Sequence, residues 1–135
     1  IAIVNHNTRK QSKDEAIYVK KSELKSKKKC FIKEVQIPES NFEKNARDVR
    51  YKFFKKLIVQ YNYENLITAH QLNDKLEWFL MQFTKGAGLV ELSGLNESEN
   101  KSNYKLLRPI LNYSKDDLLS FLDENSIKYF EDESN

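Results

Sequence analysis

The sequence predicts an α/β protein with an open, mostly parallel sheet and helices on both faces. Three observations carry this. Short apolar runs fit for strands (Ile1–Val4, Cys30–Ile37, Leu66–Ala69, Tyr104–Leu107) alternate with longer stretches of helical periodicity. Ile1-Ala2-Ile3-Val4 is wholly apolar, as a strand covered on both faces must be. The helical stretches open on Ser or Asn followed by acidic residues, which satisfy the orphan amides of a first turn. At 135 residues the chain is one domain's worth, and 39% hydrophobic residues can build a core beneath a surface that is 32% charged.

The elements follow in order. Ile1–Val4 is expected to pair with Phe31–Val35. A fold seldom opens on a bare core strand, so further chain is expected upstream. Ser12-Lys13-Asp14-Glu15 has the form of a capping box and predicts a helix to about Lys28. Its apolar stripe (Ala16, Ile17, Leu24) is thin, so it should lie on the surface. The second strand ends at Pro38. Ser40-Asn41-Phe42-Glu43 then predicts a second box, with Ser40 as cap. The helix after it carries Phe42, Ala46, Val49, Phe53 and Leu57 at helical spacing, thickened by Phe54 and Ile58, and should face the core.

Thr68 to Leu92 organises the rest. After the strand Leu66–Ala69 come His70 and, four residues on, Asp74. Leu76, Phe79, Leu80 and Phe83 then form one helix face, with Asn73 as the expected N-cap and Gly86 and Gly88 past the end. His70 should therefore sit where a strand hands over to a helix, with Asp74 in the helix's first turn. That edge of an α/β sheet is where ligands bind, and a helix N-terminus favours anions. On spacing alone a structural histidine and a dipole-compensating aspartate fit equally well. Leu89–Leu95 reads as turns, and Asn96–Asn103, polar and without period, as a mobile loop. Tyr104–Leu107 stops at Arg108-Pro109. Ser114 caps a last helix with Asp116 and Asp117 in its first turn and Leu118, Leu119 and Leu122 inward. Ile127–Phe130 reads as a final extended piece.

Composition excludes several classes. No apolar run approaches a membrane span. The single cysteine, Cys30, allows neither an internal disulfide nor a multi-cysteine metal site, which suits the cytoplasm. The net charge of +3 is uneven: Arg9 to Lys33 holds ten basic residues against three acidic. Such a face could attract a nucleic-acid backbone, or be a solvated helix. Arg47 and Arg50, three apart on the second helix, read as a surface pair beside Glu43 and Asp48.

Six pieces in order carry a resemblance. They are Val4–Ala16 (V-N-H-N-T-R-K-Q-S-K-D-E-A), Ala46–Tyr51 (A-R-D-V-R-Y), Thr68–Glu77 (T-A-H-Q-L-N-D-K-L-E), Phe83–Leu92 (F-T-K-G-A-G-L-V-E-L), Leu107–Leu111 (L-R-P-I-L) and Glu131–Asn135 (E-D-E-S-N). Together they resemble the catalytic domain of the tRNA(Ile)-lysidine synthetases, the MesJ-like group of N-type ATP pyrophosphatases. The resemblance implies an adenine nucleotide alpha hydrolase-like fold, here with its first strand missing. The family's loop Ser-Gly-Gly-x-Asp-Ser is absent from this sequence, which has no adjacent glycines. The chain 1–135 is therefore expected to be a partial catalytic domain, inactive alone.

The activity the resemblance implies is a cytoplasmic ATP-dependent ligase. ATP would adenylate the first anticodon cytidine of tRNA(Ile), and L-lysine would displace AMP. The implied cofactors are ATP and Mg²⁺; a homodimer is allowed and no membrane is involved. By the same match His70 is implied near the α-phosphate. Asp74 is implied near the metal or the lysine amine, Arg50 as a phosphate or substrate contact, and Glu77 as an orienting group. Asn5 and His6 are implied near the adenine. The tRNA thiolation branch of the superfamily shares a His-x-x-x-Asp signal but relies on paired cysteines. A noncatalytic RNA-binding piece using the basic face from Arg9 to Lys33 is the alternative from another class.

Overall fold

Strand β1 (Ala2–Asn5) pairs in parallel with β2 (Phe31–Glu34), with Ala2 opposite Phe31 and Asn5 opposite Glu34, as the sequence predicts. The pair is the nucleus of the first of two compact units into which this computed structural model divides, Ile1–Asn62 and Tyr63–Asn135. The structure describes residues 1–6, 12–38, 40–86, 88 and 94–130. The expected turns at 89–93, the polar piece at 7–11 and the closing E-D-E-S-N lie outside them.

In the first unit, α1 (Ser12–Ser26) connects β1 to β2 and packs on β1. Of its expected apolar stripe, Ala16 is half-buried and Ile17 is exposed. Helix α2 (Phe42–Tyr61) also packs on β1 and buries Ala46, Leu57 and Ile58. Ser40 does not cap it: the cap is Asn41, in the left-handed region with φ 52°. The Ser40 carbonyl instead accepts from Asn45 Nδ2 at 2.9 Å. The helix stops at Asn62, also left-handed, whose N–H returns to the Ile58 carbonyl. Asparagine tolerates this conformation better than most non-glycine residues, which makes it a serviceable stop.

In the second unit, β3 (Asn65–Ile67) pairs in parallel with the later strand β5 (Lys105–Leu107). A fourth strand, β4 (Ser98–Asn100), runs antiparallel to β5, giving the order β3-β5-β4. This corrects the mobile loop expected at Asn96–Asn103. The segment is polar because β4 is an edge strand, and its charged Glu99 is used: the carboxylate meets Arg108 Nη1 at 2.6 Å and Lys101 Nζ at 2.6 Å. Arg108 is 3% exposed and also donates to the Asn96 carbonyl at 2.6 Å. Between β3 and β4 lies α3 (Leu72–Thr84), and after β5 comes α4 (Lys115–Glu124). Ser114 caps α4 as expected, accepting from the Asp117 N–H at 3.1 Å. Gly86, at φ +67°, takes the left-handed turn after α3. Residues 127–130 form no strand. Leu106 and Leu111 are the most buried side chains among the described residues. The stripe Leu76, Phe79, Leu80 and Phe83 lies on α3 as predicted but is 40–64% exposed.

Candidate functional site

In the first unit the parallel pair ends at Asn5, which is 5% exposed and whose carbonyl accepts from the Val35 N–H at 2.9 Å. His6 follows directly and meets Phe42, the first residue of α2, edge-on at 5.9 Å. Both ring nitrogens of His6 are buried and have no hydrogen-bond partner among the described residues. Burial, then the nearby charge of Arg50, lowers its pKa below the ordinary 6.5. The ring is therefore neutral at physiological pH and offers one donor and one acceptor. Arg50 itself is exposed on α2. Its neighbour Arg47 is engaged elsewhere, 5.4 Å over the Tyr51 ring. The structure thus places His6, directly after Asn5, within the electrostatic reach of Arg50, and sets Arg47 against a different group.

In the second unit His70 sits between β3 and α3, where the sequence places it. Its Nδ1 and the Thr68 hydroxyl are 2.9 Å apart, so the residue just past the end of β3 orients the ring. Asp74 is in the first turn of α3, half-buried, and its Oδ2 accepts from the Gln71 N–H at 2.7 Å. The helix begins at Leu72, so Gln71, with extended backbone, is the N-cap, which corrects the expectation of Asn73. Asn73 acts elsewhere. Its Oδ1 accepts from the Lys115 N–H at 3.2 Å, tying α3 to the start of α4 beside the bond from Leu72 N to the Tyr113 carbonyl at 2.9 Å. Glu77 is exposed on α3, three residues beyond Asp74.

These arrangements suit parts of a nucleotide site. A neutral imidazole without a partner among the described residues can offer one donor and one acceptor to a ligand, and Arg50 adds positive charge near it. One Asp74 oxygen is committed to its helix, which fixes the carboxylate's orientation. Among the described residues no three His, Cys, Asp or Glu side chains gather as a metal site. A magnesium ion here would need ligands beyond these side chains, and Mg²⁺ commonly takes few protein carboxylates together with substrate phosphate oxygens. Cys30 is half-buried, and no described helix is long and apolar enough to cross a membrane.

Sequence reasoning missed Gln71, whose buried Oε1 has no partner among the described residues, and Arg108, buried against Glu99. Gln is not a residue type that ordinarily caps a helix, and Arg108 meets Glu99 nine residues away across the strands.

A strand, a turn carrying the histidine and a helix carrying an acidic first turn are the frame of an adenine-nucleotide-binding α/β domain. The whole chain, residues 1–135, matches the model of the PP-loop domain family, and the chain belongs to that family. It is 53% identical over 135 residues to the tRNA(Ile)-lysidine synthase of Campylobacter jejuni, covering 100% of this chain and 42% of that protein. It is 46% identical over 140 residues to the tRNA(Ile)-lysidine synthase of Helicobacter hepaticus, of which it covers 33%. The corresponding protein of Streptococcus pyogenes is 40% identical over 142 residues, of which the chain covers 30%. The chain thus spans less than half the length of the curated relatives it matches, and the resemblance drawn from its six motif pieces is borne out.

Proposed function

We propose that the protein containing this chain is a cytoplasmic tRNA(Ile)-lysidine synthetase, a ligase that joins L-lysine to the first anticodon cytidine with ATP cleaved to AMP and pyrophosphate. The observation that supports this is identity of up to 53% across the entire chain to proteins of that name. The C-2 carbonyl oxygen of the cytidine attacks the α-phosphorus, and pyrophosphate leaves. The lysine amine then adds at C-2, loses a proton, and the C-2–oxygen bond breaks to release AMP. Mg²⁺, when bound, would neutralise charge on the phosphates.

The chain's own residues have separable roles in this reading. His6 and Asn5 receive the adenine, His6 using its unpartnered nitrogens. Arg50, beside them, contacts phosphate or substrate. His70, held by Thr68, is aimed at the charge that develops on the α-phosphate, and a preorganised donor there stabilises the transition state. Asp74, fixed by the Gln71 amide, faces the metal or the lysine amine, and Glu77 orients that group. The test is incorporation of labelled lysine into a tRNA(Ile) transcript by the complete protein. Product should require ATP and a cytidine at the first anticodon position. Incorporation that tolerates uridine there, or that needs no ATP, would overturn the reading.

A further inference from the structure

In the first unit β2 and the C-terminal half of α2 form a groove of about 460 Å³ whose lining includes none of the candidate residues. Leu57, 7% exposed, is part of its lining. Phe31, Phe53 and Tyr61 supply rings, and Lys33, Lys52 and Lys56 supply charge; its lining contains no carboxylate among the described residues. The rings and cations are interleaved. Lys33 Nζ is 5.7 Å over the Phe53 ring, and Lys29 Nζ, just outside, is 5.5 Å over Tyr61. Phe31 and Tyr61 lie 4.9 Å apart at 45°.

We propose that this groove binds an unpaired stretch of RNA, with bases stacking on Tyr61, Phe31 and Phe53 and phosphates meeting Lys33, Lys52 and Lys56. Stacking rings beside a positive track is what sequence-tolerant single-strand binding needs. An acidic peptide would satisfy the lysines but would bring no planar groups to lie against the rings of the groove. Lys29 and Lys33 come from the basic run of the sequence, whereas Lys52 and Lys56 come from α2. Only the fold joins them. Along α2 the distance from Tyr61 back to Arg50 is roughly 16 Å at 1.5 Å per residue. The groove therefore leads along the helix toward the edge where His6 and Arg50 sit. The inference rests on the proposed function only for naming the RNA as tRNA.

The experiment is fluorescence anisotropy with the complete protein and a labelled single-stranded oligouridylate of about twelve nucleotides. It requires neither ATP nor lysine, so it reads out even if the ligase assignment fails. K33A/K52A/K56A should weaken binding and flatten the slope of log affinity against log salt by about 2, at roughly 0.7 per single-strand phosphate. Tyr61→Ala should weaken it about tenfold, the loss of one stacked base, while Tyr61→Phe binds as the parent does. Circular dichroism melting confirms that each variant is folded. Should the triple variant fold poorly, ultraviolet crosslinking of the parent protein should attach the oligonucleotide at Tyr61 or Phe31. Unchanged affinity and salt slope in the folded variants, crosslinks confined to other segments, or displacement of the RNA by an equal charge of polyglutamate would overturn the proposal.

Discussion

The two units hold their histidines in opposite ways. The second is tied by directional polar bonds: Thr68 to His70, Asp74 to the Gln71 amide, Asn73 to the Lys115 amide, Glu99 to Arg108, and Asn112 to Glu97. In the first, α2 and its neighbours meet through rings and cations: Phe31 on Tyr61, Lys33 on Phe53, and His6 against Phe42. Directional bonds fix where a side chain points, and packing alone fixes where it sits. His70 is thereby held by Thr68, just past the end of β3, while the buried nitrogens of His6 have no hydrogen-bond partner among the described residues. The proposed roles ask for that difference: a preorganised donor for His70, and for His6 a ring that gains partners on binding.

The largest expected effect tests the aimed histidine. In the complete enzyme His70→Ala should lower the lysidine-forming rate roughly 10²-fold or more with little change in melting temperature. Thr68→Ala should cost part of that, and Thr68→Ser should restore it, since only the hydroxyl is required. A His70→Ala protein that retains full activity, or that simply unfolds, would place His70 with the structural histidines.

Next comes the polar tie itself. Lys101, then Arg108, holds the Glu99 carboxyl below its ordinary value of 4.5, against the opposing effect of burial. A carboxylate with a lowered folded pKa contributes stability at neutral pH and loses it as pH falls from the ordinary value through the folded one. Glu99→Gln should therefore cost roughly 2 kcal/mol at pH 7, less than a fully buried pair because the Glu99 side chain is 27% exposed. The cost should shrink in acid. Urea melts at pH 7 and pH 3 that give the same difference would show that the pair does not anchor β4.

The arginines of α2 separate the two kinds of contact within one helix. Arg50→Ala should reduce kcat/KM about tenfold, as expected for loss of one charged contact to phosphate, and Arg47→Ala should change it less than about twofold. Equal small effects would return both to the surface pair that their spacing alone suggests.

The smallest effect is on the unaimed histidine. The folded pKa of His6 lies below 6.5, so the folded state resists a proton that the unfolded chain accepts. Stability should be level above pH 6.5 and decline below it until the folded value is passed. His6→Gln should remove that decline. A stability profile of the parent that stays flat from pH 7 to pH 5 would mean that the ring is not held neutral.

Much of this was legible without coordinates. The alternation of apolar runs and helical stripes indicated the class, and the parallel pairing of β1 with β2 followed from it, because hydrophobic period reports which face must leave water. The T-A-H-x-x-x-D spacing placed His70 and Asp74 at a strand–helix junction, and the motif order pointed to the family. Caps were less secure: Ser114 performs as its sequence indicates, but Ser40 and Asn73 yield to Asn41 and Gln71. Several residues compete for each helix start, and the winner is whichever backbone path the neighbouring element permits.

What sequence could not decide was long-range and polar. β4 carries no hydrophobic period, and its place depends on pairing with β5 and on Glu99 reaching Arg108 nine residues away. The engagement of Arg47 with Tyr51, and the effect of Arg50 on His6, depend on which way each side chain leaves the helix. The basic groove needs lysines from β2 and α2 to meet, and charge leaves no periodic trace of the partner it will face. The sequence by itself determined which surfaces must be covered. Only the tertiary structure decided which polar groups then meet, because hydrophobic burial depends on the amount of surface while hydrogen bonds and ion pairs depend on direction and distance.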